Sequence, residues 1–383
     1  MKILFASSSS GSRGGGELYQ LYLGRALAER GHEVGLWASS HRRMDELAQT
    51  FAQFGTVTRC AYTNTYDRRL RSVASYFDGA SAARVAASWR GIGPDFVHIN
   101  KQNLEDGLDL LVAAGRAGIP SLTTIHLSQS ARFLRAVAAW VRDTVSRSAL
   151  RSYDGILVTV LENRRRDLVN FLGESSRIRT IPNGVPIFDL SRREALRAAT
   201  RAELGFNDEI VILALGRLVP QKRPLAFLEQ ARLIVNREPR ARFVWVGDGE
   251  LASAWDVRVA ELGLGSVVRR LPWQKNVPPF LFGADVFLHV AEFEGLPLAI
   301  LEAMSARLPC AIAANLLAEM PFLGSGDVLT VGDDASWAEG LGNPALLAEL
   351  GARARRIAEE NFSFAAMAAS YESLYRETLE TRR

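Results

Sequence analysis

Glu294 and Glu302 stand eight positions apart in the run Glu294-Gly295-Leu296-Pro297-Leu298-Ala299-Ile300-Leu301-Glu302, and both are carboxylates placed where chemistry could use them. The preceding stretch 284–290 is almost wholly apolar and reads as a buried parallel strand. Pro297 suits a first helical turn, where its missing N–H costs nothing. The pattern is therefore strand, loop, helix, with free backbone N–H groups aimed beyond the sheet as an anion or phosphate site. Glu302 falls about one and a half turns into that helix, suited to accept hydrogen bonds from sugar or ribose hydroxyls. A plain pair of surface glutamates has the same spacing, so the rest of the chain must decide.

A second group follows another apolar run. Gly216-Arg217-Leu218-Val219-Pro220-Gln221-Lys222-Arg223-Pro224 is a cationic loop leading into a helix. Arg217 and Lys222 at the top of one strand fit a diphosphate, gripped by the guanidinium and neutralised by the ammonium. The turn 8–17 carries Gly14, Gly15 and Gly16 in succession and opens an amphipathic helix over 18–30, so backbone there can come close to a ligand. Its glycine spacing is not that of the dinucleotide fingerprint. His126 ends the apolar run 122–125, at a sheet's carboxyl edge, where an imidazole can bond a sugar hydroxyl or stabilise charge. His98 lies within a strand and reads as structural, Asp248 as a turn former, and His32, His41 and His289 have no supporting context.

These loops need a scaffold. In the first half, strands are expected at 3–6, 33–38, 96–99, 121–125, 155–160 and 179–181, alternating with helical patterns as in a parallel sheet covered by helices. Turn formers cluster at Pro182-Asn183-Gly184-Val185-Pro186. Beyond them the alternation resumes, with strands expected at 210–215, 242–246, 268–271, 286–290 and 309–313. The fold class is therefore α/β with two doubly wound, Rossmann-like domains, whose ligands bind outside the carboxyl ends of strands and so in the cleft where two such domains face. An amphipathic helix near 362–379 has no strand partner of its own.

Composition narrows the classes. At 383 residues with 48% hydrophobic and 23% charged, the chain can build two cores. Two distant cysteines, Cys60 and Cys310, offer neither a disulfide framework nor a metal-ligand spacing, which points to a reduced, cytoplasmic compartment. No apolar run is long enough to span a membrane, leaving at most peripheral contact at the inner face of the cell membrane. Residues 1–190 hold 24 Lys/Arg against 17 Asp/Glu, a net +7, while the remainder is −3. The basic half is expected to meet something anionic. It has no recognisable nucleic-acid reading module, so no nucleic acid is expected as partner.

Taken together, these residues resemble a retaining glycosyltransferase of the GT-B class, family 4 (glycosyltransferase group 1). The resemblance rests on the glycine-rich first loop, His126, Ile181-Pro182-Asn183-Gly184-Val185, Gly216-Arg217 with Lys222, Val246-Gly247-Asp248-Gly249, and Glu294-Gly295-Leu296-Pro297 through Glu302-Ala303-Met304. It implies an acceptor-side domain over 1–184, completed by a returning C-terminal helix at 362–383, and a donor domain over 185–361. Arg217 and Lys222, with Gly216, would bind the donor diphosphate, and Glu302 the ribose. Glu294, assisted by Gly295 and Leu296, would contact the donor sugar, while Gly15 and Gly16 approach the phosphates and His126 the reacting carbon. His126, Arg217, Lys222 and Glu294 are thus the catalytic candidates. No metal and no cofactor beyond the nucleotide-diphosphate sugar, UDP- or GDP-linked, is implied.

The chain departs from the family pattern at two places. Ala314-Asn315-Leu316-Leu317-Ala318-Glu319 replaces a Gly-Gly-containing loop, which leaves Glu319 a tentative donor contact, and Glu162 stands where a serine is usual. The acceptor, a glycan or lipid-linked species in cell-envelope polysaccharide or lipopolysaccharide synthesis, would dock on the basic first half. A helix over 131–150 with Arg132, Arg135, Arg142 and Arg147, or the segment from Arg68 to Phe77, is a candidate for an anionic membrane surface. The alternative reading is a non-catalytic carbohydrate-binding or scaffold protein on the same fold.

Overall fold

The computed structural model describes residues 1–173, 176–332, 334 and 336–381 of the chain. It divides into two compact units, one formed by Met1–Gly184 with the segment from Phe364 onward, the other by Val185–Ser363.

In the first unit seven strands form one parallel sheet: β1 (Lys2–Ser7), β2 (Glu33–Ser39), β3 (Thr56–Cys60), β4 (Phe96–Asn103), β5 (Ser121–Leu127), β6 (Ile156–Thr159) and β7 (Ile178–Thr180). Their order is β3-β2-β1-β4-β5-β6-β7. Register is fixed by pairs such as Phe5 with Leu36, Ala6 with Ile99 and Asn100 with Thr124. Parallel pairing requires crossovers, and both faces are covered by them, which is why these strands read as near-continuous apolar runs. Only the edge strand β3 went unanticipated: its residues are exposed or half-buried, so it lacks the apolar signature of the interior strands.

Among its described residues the second unit has six strands, β8 (Ile210–Leu215), β9 (Ala241–Val246), β10 (Val268–Leu271), β11 (Val286–His289), β12 (Cys310–Ala313) and β13 (Leu329–Val331). Their order is β10-β9-β8-β11-β12-β13, again parallel throughout. Phe227 of the helix Pro224–Val235 stacks on Trp255 and meets Trp245 edge-on, closing the core on one side of this sheet. The unit extends to Ser363, two residues past the expected boundary, because Val185 N–H donates to Phe362 O at 2.8 Å and Val185 forms a parallel bridge with Ser363. In both sheets the strand order reverses at one point, between β1 and β4 and between β8 and β11. Loops leaving the carboxyl ends of those strands diverge and leave a crevice.

The helix Phe364–Thr381 supplies Met367, Tyr371, Leu374 and Tyr375 to the same buried core as Ile3, Phe5, Tyr19 and Leu23 of the first unit. Polar bonds fasten it there. His98 Nδ1 meets Tyr375 Oη at 2.6 Å and its Nε2 meets Thr124 Oγ1 at 2.8 Å; Thr124 Oγ1 in turn meets Tyr371 Oη at 2.9 Å. Burial, with His126 nearby, pushes the His98 imidazole down to about 3, so it is neutral, and its role is structural.

Two expected helices differ in extent. The helix after the glycine-rich turn spans Gly15–Glu29, so Gly15 and Gly16 lie inside its first turn. The helix expected over 131–150 is confined to Ala139–Ser152. Before it the chain turns, because Asp143 accepts Ala131 N–H at 2.7 Å and Arg132 N–H at 3.1 Å, and Arg135 and Ala138 adopt left-handed φ of 51° and 54°.

Candidate active site

The site residues foreseen in the sequence fall into two groups, one in each unit, and each group gathers at its sheet's reversal point. In the second unit the loop after β8 is held by backbone. Leu218 N–H donates to Asp248 O, and Leu251 N–H to Leu218 O, both at 2.9 Å, which laces the β8 loop to the β9 loop. Gly247, at φ 141°, passes so close to the carbonyl of Gly216 that a side chain could not be accommodated. Trp245 Nε1 donates to that same carbonyl at 2.8 Å. Arg217 therefore leaves a rigid corner. It is exposed and makes no side-chain hydrogen bond or ion pair with any described residue, so its guanidinium is available to a ligand.

Pro220–Lys222 forms a short helical turn that points Lys222 toward the neighbouring strand's loop. There the ammonium is ion-paired with Glu294 Oε1, and His289 Nε2 lies 3.2 Å from the same oxygen. Gln221 bridges as well: its Nε2 donates to Phe293 O at 3.0 Å, and its carbonyl accepts Glu292 N–H at 2.8 Å. Glu294 is buried, which alone would raise its pKa. Lys222 and His289 outweigh that and hold the carboxyl at about 2. It is a fixed anion. His289, whose own pKa burial lowers despite Glu294, had no supporting context in the sequence; its signal was its place at the end of β11, five residues before Glu294.

The helix Leu298–Ser305 begins just beyond, with Pro297 as its N-cap rather than in its first turn. The N–H groups of Gly295 and Leu296 find no acceptor among the described residues and remain available at this positive helix end. Glu302 is buried within the helix at 4% exposure, against 7% for Glu294. Glu319 is half-buried beyond the short helix Ala314–Leu317. Asn315, in that helix, reaches the loop instead: its Nδ2 donates to Glu292 O at 2.8 Å.

In the first unit, His126 Nε2 lies 2.8 Å from Asn100 Oδ1, and Asn100 Nδ2 donates to Gly16 O at 3.1 Å. One side chain thus ties β4 to the imidazole near the end of β5 and to the first turn of the helix after β1. Asn100 was not singled out in the sequence, since a polar residue at the end of an apolar strand carries no signal by itself. If Nε2 carries the proton that Asn100 accepts, Nδ1 is left as the open lone pair. Tyr19 packs edge-on against the ring, and burial pushes the imidazole down to about 3. Gly15 is exposed and Gly16 is buried. Among the described residues no group of three or more His, Cys, Asp or Glu is arranged to hold a metal ion.

Two parallel, doubly wound units with a cation-bearing loop and a carboxylate loop at the second unit's reversal point define the GT-B class. The comparisons agree. Residues 13–187 match the model of Glycosyltransferase Family 4 and residues 209–343 that of Glycosyl transferases group 1. The chain belongs to this glycosyltransferase family. It is 30% identical over 228 residues to the UDP-Gal:alpha-D-GlcNAc-diphosphoundecaprenol alpha-1,3-galactosyltransferase of Escherichia coli, a match covering 57% of each chain. It is 26% identical to the D-inositol 3-phosphate glycosyltransferase of Thermobispora bispora, over 97% of this chain and 91% of that one. Several curated relatives are matched over only about half their length, such as 50% for the D-inositol 3-phosphate glycosyltransferase of Saccharomonospora viridis. Among solved structures, Anabaena Alr3699/HepE in complex with UDP-glucose superposes with a TM-score of 0.78 at 20% identity, covering 100% of both chains.

Proposed function

We propose that this protein transfers a sugar from a nucleotide-diphosphate donor to a glycan or lipid-linked acceptor, with retention of anomeric configuration and without a metal ion. The observation that carries the reading is the meeting of Lys222, Glu294 and His289 beside the unpartnered Arg217, at the carboxyl ends of β8 and β11. An ammonium has three N–H donors. Glu294 takes one, which leaves two for a donor diphosphate alongside the guanidinium. As the donor bond breaks, negative charge gathers on the departing diphosphate, and these cations with the N–H groups of Gly295 and Leu296 are already oriented to meet it. Glu294, permanently ionised, accepts hydroxyl hydrogens of the donor sugar, and Glu302 those of the ribose. Gly15, Gly16 and His126 take their roles toward the phosphates and the sugar from the family resemblance.

A UDP- or GDP-linked donor is favoured. The Escherichia coli relative uses UDP-Gal and a GlcNAc-diphosphoundecaprenol acceptor by its name, and Alr3699/HepE binds UDP-glucose, which supports a UDP-linked sugar and an envelope-polysaccharide acceptor. Calorimetry with UDP, GDP and ADP, without added metal, tests the reading. Selective binding of one nucleotide, lost in Lys222→Ala, is expected. If none binds the wild type at millimolar concentration, the chain is a binding or scaffold protein instead.

A further inference from the structure

We propose that the first unit docks on an anionic lipid bilayer through one surface built from two segments, 69–77 and 132–141. Six of the eight exposed large apolar side chains among the described residues lie there: Leu70 (64%), Phe77 (71%), Phe133 (59%), Val137 (88%), Trp140 (77%) and Val141 (39%). Globular surfaces seldom concentrate apolar side chains in this way without a partner. The two segments are neighbours. Ser72, of the helix Arg71–Phe77, donates to Glu105 Oε2 at 3.2 Å, and Arg142, of the helix Ala139–Ser152, donates to the same oxygen at 2.7 Å.

Charge selects the occupant. Arg69, Arg71, Arg132 and Arg135 are exposed among the apolar side chains. The nearby carboxylates are engaged: Asp143 caps the 131–132 turn, Asp78 pairs with Arg68, and Asp67 with Arg43. What remains outward is cationic and aromatic, the composition of surfaces that lie in the headgroup region of anionic membranes, whereas a protein partner would need carboxylates matched to each arginine. Backbone geometry gives independent support. Of the five non-glycine residues with positive φ among the described residues, three are here, Arg71 (43°), Arg135 (51°) and Ala138 (54°). L-residues avoid that conformation, and it persists where the surrounding structure holds a functional shape. Here it turns 131–138 away from a helix and projects Phe133 and Val137 outward.

Glu105, the anchor of both segments, lies in the loop following β4, at the carboxyl edge that also carries Asn100 and His126. Docking would therefore bring lipid to the side of the unit where an acceptor is expected, which deepens the transferase reading to a membrane-anchored acceptor. The test avoids donor and acceptor, so its failure is distinct from failure of that reading.

The full chain is floated with vesicles of phosphatidylcholine alone and with vesicles containing phosphatidylglycerol, as are Val137→Ser/Trp140→Ser and Arg132→Glu/Arg135→Glu. The wild type is expected to float only with phosphatidylglycerol and to be released by salt, and each double variant to bind about tenfold more weakly or worse, with UDP affinity and melting unchanged. No flotation of the wild type on anionic vesicles overturns the proposal. So does flotation of both variants like the wild type, or a dimer in analytical ultracentrifugation that Val137→Ser/Trp140→Ser abolishes while vesicles stay unbound.

Discussion

Lys222 and Glu294, 72 residues apart in the chain, form a partly buried ion pair where the loops after two adjacent strands, β8 and β11, converge. The pair holds a cation and an anion at the same reversal point of the sheet, so a diphosphate and a sugar hydroxyl can be addressed by neighbouring groups.

Removing the cation should therefore cost both binding and rate. Lys222→Ala is expected to lower kcat/KM by about 10²- to 10³-fold, the range seen when one preorganised charge stabiliser is lost. Arg217→Ala, whose side chain is exposed, should lower activity without lowering the melting temperature. Steady-state kinetics with the selected nucleotide sugar, alongside calorimetric melting, separates the two.

The depressed pKa of Glu294 links the pair to acid stability. A carboxyl near 2 in the fold and 4.5 ordinarily contributes stability that is fully present above 4.5 and is lost as pH falls toward 2. Glu294→Gln should flatten the dependence of urea stability on pH within that window and leave it unchanged above. An unaltered slope would show that the pair contributes nothing there.

His126 should act as a neutral imidazole. Its pKa of about 3 means that no limb of the pH–rate profile near 6.5 belongs to it. His126→Ala is expected to lower kcat by about 10²-fold, with the profile unchanged in shape. Asn100→Ala, which frees the ring, should move kcat in the same direction.

The latch between His98 and Tyr375 is a stability prediction. Tyr375→Phe leaves the buried His98 Nδ1 without its 2.6 Å partner and should cost about 1 to 2 kcal/mol in chemical denaturation. Catalytic parameters should not change at a temperature where both proteins are folded.

If Arg217, Lys222 and the helix end supply the positive charge, excess chelator should leave the initial rate unchanged. A loss of rate in EDTA that manganese restores would reassign that charge to a metal ion.

Most of this architecture could be read locally. Interior parallel strands are continuous apolar runs; the loops carrying Arg217, Lys222 and Glu294 each follow one and His126 stands near the end of another, because side-chain burial imposes its pattern on neighbouring residues. Edge strand β3 escaped because an edge is only partly covered and need not be apolar, and β13 because Leu329-Thr330-Val331, though its two apolar residues are buried, is too short a run to read as a strand. The helix over 131–150 was read too long, because its apolar pattern does not reveal that Asp143 caps the preceding turn. What residue order by itself determined is which groups stand at strand ends. Which of them meet was decided only by the tertiary structure: strand order places β11 beside β8, and β4 between β1 and β5, bringing Lys222 to Glu294 and Asn100 to both Gly16 and His126. Contacts so distant along the chain depend on how the sheets assemble, and periodicity within a segment carries no record of its neighbours.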